Sequence, residues 1–233
     1  MSAMDRAVCL VSGGLDSCVA VACAARDGLA PALLHVRYGQ RTEIREREAF
    51  ERIAEFYSVD QRLVCELSLH RQIGGSALTD TTITLPRGEL ERRDIPITYV
   101  PFRNGTLLAL AASWAEVLGA HSVYIGAVDE DSSGYPDCRP GFFEAMNAAI
   151  HSGTRPESSV TIRTPLISLS KAAIIELGVS LGAPLELTWS CYREGASPCG
   201  ECDSCLLRQR GFEQSGLTDP ASQTDAPERG GRQ

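Results

Sequence analysis

Apolar runs and amphipathic stretches take turns along this chain. Residues 7–11 are an apolar run that stops at Ser12-Gly13-Gly14, and a run of small residues with helical potential, 17–25, follows at once. That order predicts strand, tight loop, helix. Residues 32–38, Ala-Leu-Leu-His-Val-Arg-Tyr, predict a second strand ended by Gly39. Over 41–57, apolar side chains at Ile44, Ala49, Ile53, Ala54 and Phe56 stand among charges, the signature of an exposed amphipathic helix. Residues 62–67 predict a third short strand. Strands alternating with helices require a parallel sheet covered on both faces, so the fold class is α/β, doubly wound.

From 68 to 94 the pattern lapses into Gly, Ser, Thr and charge, with Gly74-Gly75 and Pro86. A loop of that length inside a compact domain is usually functional or mobile. Residues 99–101 are expected to end a short strand, and a helix rich in Leu and Ala follows over 105–118. Residues 121–128 predict a further strand that opens into an acidic loop, 129–139. A helix over 142–150, a short strand at 160–163, a helix capped by Ser170 and running to about 181, and a final helix near 203–212 complete the order. These patterns divide the chain into an α/β domain at 1–184, a small cysteine-bearing region at 185–215 and a tail at 216–233 expected to be disordered. Ligands of open α/β sheets collect outside the carboxyl ends of the strands. The Ser12-Gly13-Gly14 loop and the acidic loop both belong there.

Composition narrows the class. The 233 residues suffice to bury a core, with 43% apolar and 22% charged side chains. No apolar stretch is long enough to span a bilayer, and the first residues lead straight into the first strand without the pattern of a signal peptide. The expectation is a cytoplasmic protein without a membrane partner. A net charge of −8 argues against a broad nucleic-acid surface and favours small-molecule chemistry.

The glycine loop is the first candidate site. Two glycines let the backbone approach a ligand, and the serines with the free N–H groups of a helix start supply donors for an anion such as phosphate. A plain βα turn would need no Asp16-Ser17 directly afterwards. The second candidate is Cys191-x7-Cys199-x2-Cys202-x2-Cys205, four of the nine cysteines within fifteen residues. Four thiolates closing a tetrahedron make a structural zinc site; an iron–sulfur centre and free thiols are the alternatives.

Ser-Gly-Gly-Leu-Asp-Ser at 12–17 resembles the pyrophosphate loop of the N-type ATP pyrophosphatases. Joined to Tyr38-Gly39-Gln40, Val-Pro-Phe-Arg-Asn at 100–104, Ser-Gly-Tyr-Pro-Asp-Cys-Arg at 133–139, Thr-Pro-Leu at 164–166, Leu-Ser-Lys at 169–171 and the four cysteines, it resembles the QueC family, the 7-cyano-7-deazaguanine synthases of the queuosine pathway. Phe102 departs from the glycine common at that place in the family. The resemblance implies a ligase that converts 7-carboxy-7-deazaguanine and ammonia to the nitrile at the expense of ATP, through an adenylated carboxylate and an adenylated amide.

It further implies an ATP-binding stretch over Leu10, Val11, Ser12, Gly13, Gly14, Leu15, Asp16, Ser17, Cys18, Val19 and Ala20. Backbone N–H groups of Gly13, Gly14 and Leu15 with the hydroxyls of Ser12 and Ser17 would hold the β- and γ-phosphates, and Asp16 would orient Mg²⁺. Arg103 and Lys171 would neutralise charge on the α-phosphate. Tyr135, Asp137, Arg139, Gln40 and Asn104 would meet the substrate, with Asp137 accepting from the guanine-like edge and Arg139 meeting the carboxylate. Cys191, Cys199, Cys202 and Cys205 would hold one structural Zn²⁺, and a homodimer is implied. Competing readings are a tRNA-modifying pyrophosphatase, a non-catalytic ATP-binding zinc module, and a family member that uses an amine other than ammonia. The four histidines are dispersed and receive no chemistry.

Overall fold

The computed structural model describes residues 5–91, 94–129 and 134–223. Five strands form one parallel sheet: β1 (Arg6–Leu10), β2 (Ala30–Arg37), β3 (Arg62–Glu66), β4 (Ser122–Ile125) and β5 (Thr161–Arg163), in the order β3-β2-β1-β4-β5. The chain winds outward from β1 to β3 on one side, then crosses back to place β4 and β5 on the other. The seam between β1 and β4 is therefore the topological switch point, where such sheets open a crevice. Register brings Leu10 level with Leu34 and with Ile125, so β1 and β4 end together beneath that crevice while β2 runs on to Arg37.

Alternation along β1 divides the core in two. Ala7, Cys9 and Val11 pack on one face with Val19, Phe50, Ile53, Leu166, Ile174 and Ile175. Val8 and Leu10 pack on the other with Leu34, Leu108, Ala111, Val123, Ile125 and Phe143. The helices that cover these faces are α1 (Leu15–Arg26), α2 (Glu43–Phe56), α4 (Arg103–Leu118), α5 (Pro140–Gly153) and α6 (Lys171–Ser180), with a short α3 (Leu69–Ile73) and a last helix α7 (Asp203–Ser215). Small residues on α1 let it sink fully between its neighbours, which buries Cys18, Val19 and Ala20. Burial pushes the Cys18 thiol up to about 12, so it is a core side chain rather than a reactive one.

Three expectations need correction. No strand forms at 99–101: residues 95–102 make turns, with Tyr99 N donating to Pro96 O and Arg103 N to Val100 O. Pro96 and Pro101 lack the N–H groups a ladder would use. β4 stops at Ile125 rather than 128, because Gly126 abuts the first turn of α1, where an added Cβ would lie 2.6 Å from the Asp16 carbonyl carbon. The tail is placed as far as Gln223: Gly216 ends α7 in the left-handed conformation, and Asp219 then bonds Arg208 at 2.6 and 2.8 Å. Residues 224–233 lie outside the described residues, as do 130–133 of the acidic loop. No described helix is long and apolar enough to cross a membrane.

Candidate active site

The turn after β1 is shaped by two glycines with different duties. Gly13 has φ +90°, and a Cβ there would sit 2.5 Å from the carbonyl oxygen of Glu46 on α2. Only glycine fits that backbone and that contact. Gly14 has an ordinary φ of −79° and serves as N-cap of α1 without a side chain to bond the helix's free N–H groups. Those donors, at the positive end of a 12-residue helix, are directed at the crevice. Hydroxyls complete the cradle: Gly14 N donates to Ser12 Oγ at 3.3 Å, Ser12 Oγ to Ser17 Oγ at 3.2 Å, and Ser17 Oγ to Gly14 O at 2.8 Å.

Asp16 and Lys171 are 155 residues apart in sequence and paired in space. Lys171 Nζ lies 2.8 Å from both Asp16 oxygens. Lys171 is the first residue of α6, whose start is fixed by Ser170 Oγ accepting from Ala173 N. The ion pair thus ties the amino ends of two helices at one edge of the crevice.

The opposite wall comes from the start of α4 and the turn at 135–138. Asn104 N donates to Asp137 Oδ2 at 2.9 Å, and Asn104 Nδ2 returns a bond of 2.9 Å to Asp137 O and reaches Cys138 Sγ at 3.3 Å. This clasp fixes the beginning of α4. Asn104 Oδ1 in turn accepts from Arg103 Nε and Nη2 at 3.3 and 3.2 Å, and the guanidinium lies 5.8 Å from the Tyr38 ring centroid. The left-handed Phe102 immediately before, φ 55°, places its ring against Gly105 and edge-on to Phe142 at 5.8 Å.

Between these walls is a cavity of about 290 Å³, close to the lower end of the range for small-molecule sites. It gathers Ser12, Gly14, Leu15, Asp16, Ser17, Gln40, Arg103, Asn104, Tyr135 and Lys171 around one space, with Leu10 and Val11 at its floor. Cys18, Val19 and Ala20 face the core instead. Asp137 stands behind Asn104, its Oδ2 accepting from the backbone N–H at the helix start, and it does not line the cavity. Its Oδ1 is buried without a partner. Arg139 is exposed at the amino end of α5 and does not line the cavity. Gln40 is spent within the protein: its Oε1 accepts from Tyr38 N at 2.8 Å and its Nε2 donates to Glu46 Oε2 at 2.9 Å.

Several contributors escaped the sequence reading. Arg41 donates to Ala77 O and Asp80 O, both at 2.7 Å, and so draws the 76–83 loop over the cavity. Glu46 lines the cavity from α2, and burial holds its carboxyl above the usual carboxylate range. Arg208 reaches from α7 to Thr188 Oγ1 at 2.7 Å and Ser190 Oγ at 3.2 Å, fixing the segment that enters the cysteine cluster. Arg41 and Arg208 had no motif around them, and only the tertiary contact gives either a role.

The cysteine cluster closes the third side. The sulfurs of Cys191, Cys199, Cys202 and Cys205 all lie within 4.8 Å of one another, and Cys199 and Cys205 are 4.0 Å apart. Zinc–sulfur bonds of about 2.3 Å in a tetrahedron set sulfur–sulfur edges of about 3.8 Å, so the four positions fit one such ion. Cys191 Sγ accepts from the backbone N–H groups of Arg193 and Cys199, both at 3.3 Å, and these bonds with those of the neighbouring thiols favour its thiolate form. A sulfur so prepared is a thiolate ligand. Trp189 N donates to Gly13 O at 2.9 Å, so the cluster and the glycine loop are joined directly.

The QueC family model, described as queuosine biosynthesis protein QueC, matches residues 6–216. The chain is 54% identical to the 7-cyano-7-deazaguanine synthase of Koribacter versatilis, covering 92% of each, and 50% identical to that of Chlorobium phaeobacteroides, covering 96% of this chain and 99% of that one. A solved NMN synthetase from Francisella tularensis superposes with a TM-score of 0.45 at 17% identity, covering 93% of this chain and 79% of that one. The family match over nearly the whole described chain, with half of all positions identical to named synthases, assigns the chain to the QueC family of queuosine biosynthesis enzymes.

Proposed function

We propose that this protein uses two molecules of ATP to convert 7-carboxy-7-deazaguanine and ammonia to 7-cyano-7-deazaguanine. The observation that carries the reading is convergence. A phosphate cradle, the Asp16–Lys171 pair and the Arg103–Asn104 corner share one cavity, in a chain half identical to synthases of that name over nearly its full length.

A carboxylate does not accept a nucleophile readily, because its carbon carries no good leaving group. Its oxygen therefore attacks the α-phosphorus of ATP, giving an acyl adenylate and pyrophosphate. Ammonia displaces AMP to give the amide, whose oxygen is activated by a second ATP in the same way. Loss of the second AMP, with the amide protons, leaves the nitrile. One cradle serves both activations.

In this reading the N–H groups of Gly13, Gly14 and Leu15 and the hydroxyls of Ser12 and Ser17 hold the departing pyrophosphate. Arg103 and Lys171 sit at opposite walls and offset charge that grows on the α-phosphate in the transition state. Asp16 keeps Lys171 in place and is the residue that would hold Mg²⁺, which supplies neutralisation of the phosphate oxygens when bound. Asn104 and Tyr135 face the substrate, while Asp137 positions Asn104. The four cysteines hold a structural metal, for which zinc fits best. The small-molecule substrates, the acidic net charge and the lack of a membrane-spanning helix in the described residues support a cytoplasmic enzyme without a nucleic-acid partner. A homodimer is the assembly we expect. Incubating the protein with ATP, ammonia and 7-carboxy-7-deazaguanine tests the reaction by mass spectrometry: the expected products are the nitrile, AMP and pyrophosphate, and their absence overturns it.

A further inference from the structure

Glu46 stands out among the acids of α2. Glu43 pairs with Arg37 and Arg71, Glu48 with Arg45, and Glu51 with Arg47 and Arg62. Glu46 turns the other way, into the cavity, where no lysine or arginine among the described residues pairs with it. Its two oxygens accept from neutral donors, Thr42 Oγ1 at 2.6 Å and Gln40 Nε2 at 2.9 Å. Gln40 is itself anchored by Tyr38 N, so the carboxylate is held in one orientation. The turn that carries it touches the phosphate loop, since the Glu46 carbonyl is what forbids a side chain at Gly13.

A half-buried carboxylate facing the cavity, with two neutral donors and no paired cation among the described residues, has lone pairs left for a small cation or an acidic N–H. The groups facing it are Arg103 on α4, which lowers its proton affinity, and Glu43 on its own helix, which raises it; Tyr38 lies alongside. Burial outweighs Arg103, and the net effect is an affinity above that of an ordinary carboxylate. That direction suits a base more than a permanent counter-ion.

On the synthase reading above, we propose that Glu46, oriented by Gln40 and Thr42, binds ammonium in the cavity and takes its proton as the nitrogen attacks the activated acyl carbon. Ammonium gives one proton to the carboxylate. The nitrogen lone pair then forms the C–N bond, the acyl C–O bond breaks, and AMP departs with that electron pair. The surplus proton on nitrogen goes to solvent, and Glu46 returns its own proton to solvent before the next turnover. The same group releases ammonia where the acyl adenylate forms.

The test separates the two halves of the reaction in the full-length protein. Exchange of labelled pyrophosphate into ATP, dependent on 7-carboxy-7-deazaguanine and run without ammonia, reports adenylation alone. For Glu46→Gln this exchange stays within about threefold of wild type, while kcat/KM for ammonium falls about a hundredfold, the usual scale for a lost general base. The variant's remaining rate climbs with pH in step with neutral ammonia, and Glu46→Asp recovers part of the loss. Gln40→Met, which removes the orienting amide, shows the same selective loss and serves if Glu46→Gln is too unstable to assay. An unchanged kcat/KM for ammonium overturns the proposal, as does an equal fall in exchange and nitrile formation, which marks a structural role. A raised Mg²⁺ requirement with normal ammonium dependence makes Glu46 a metal ligand instead. Wild-type protein that neither exchanges pyrophosphate nor forms the nitrile overturns the synthase reading, and this inference falls with it.

Discussion

The glycine loop and the cysteine cluster meet at the bond from Trp189 N to Gly13 O, yet opposite means hold them in shape. The loop joins a buried strand to a buried helix, and its conformation follows from the core beneath it: Val8, Cys9, Cys18 and Val19 have no solvent exposure at all. The cluster has a core of little more than its own thiols with Trp189 and Tyr192, and residues 194–198 beside it are exposed. Hydrophobic burial builds the first; the second has four sulfurs that could hold a metal ion in place of a core, and on our reading a bound cation holds it. On that reading one wall of the candidate active site is part of the fold, and the other depends on the metal.

The largest effect should come from the second wall. Replacing one ligand, Cys202→Ser, removes the closed tetrahedron and loosens residues 188–205 together with the cavity lining they supply. We expect loss of the metal by elemental analysis, a fall in melting temperature of about 10 °C or more, and nitrile formation below detection. A variant that keeps its melting point and activity would mean that burial alone shapes both walls.

Next is the ion pair. Asp16→Asn leaves Lys171 without its charged partner at the edge of the cradle, and kcat should fall at least about a hundredfold. The fold should hardly notice, because the core under the loop is untouched, and the melting temperature should move by only about 2–4 °C. A variant that instead unfolds as readily as Cys202→Ser would erase the distinction between the two regions.

The smallest effect sharpens the comparison within the loop itself. Gly13→Ala forces a Cβ to within 2.5 Å of the Glu46 carbonyl and should cost about 2 kcal/mol in urea unfolding. Gly14→Ala, where a Cβ meets nothing closer than 3.4 Å, should stay within about 0.5 kcal/mol of wild type. Equal costs at the two sites would show that the backbone at Gly13 is not under the constraint described.

How much of this was legible in the sequence follows from what is local. The glycine loop and the cysteine spacing are short contiguous patterns, and each carries its chemistry within a few residues. The parallel sheet followed from alternating apolar runs. The pairing of Asp16 with Lys171, the clasp of Asn104 on Asp137 and the inward turn of Glu46 depend on which elements become neighbours, and periodicity assigns a face but no partner. Glu46 looked like one more charge on a solvated helix, since the same helix carries four other glutamates. Residues 99–101 carried the side chains of a strand end, and the flanking prolines decided otherwise.

The central claim, that one cavity activates oxygen twice by adenylation, is tested most directly by running the nitrile-forming reaction with both carboxylate oxygens of 7-carboxy-7-deazaguanine labelled with ¹⁸O. The account predicts two AMP per nitrile, each carrying one ¹⁸O, with none in pyrophosphate. Label in pyrophosphate or inorganic phosphate, or one AMP per nitrile, would contradict it.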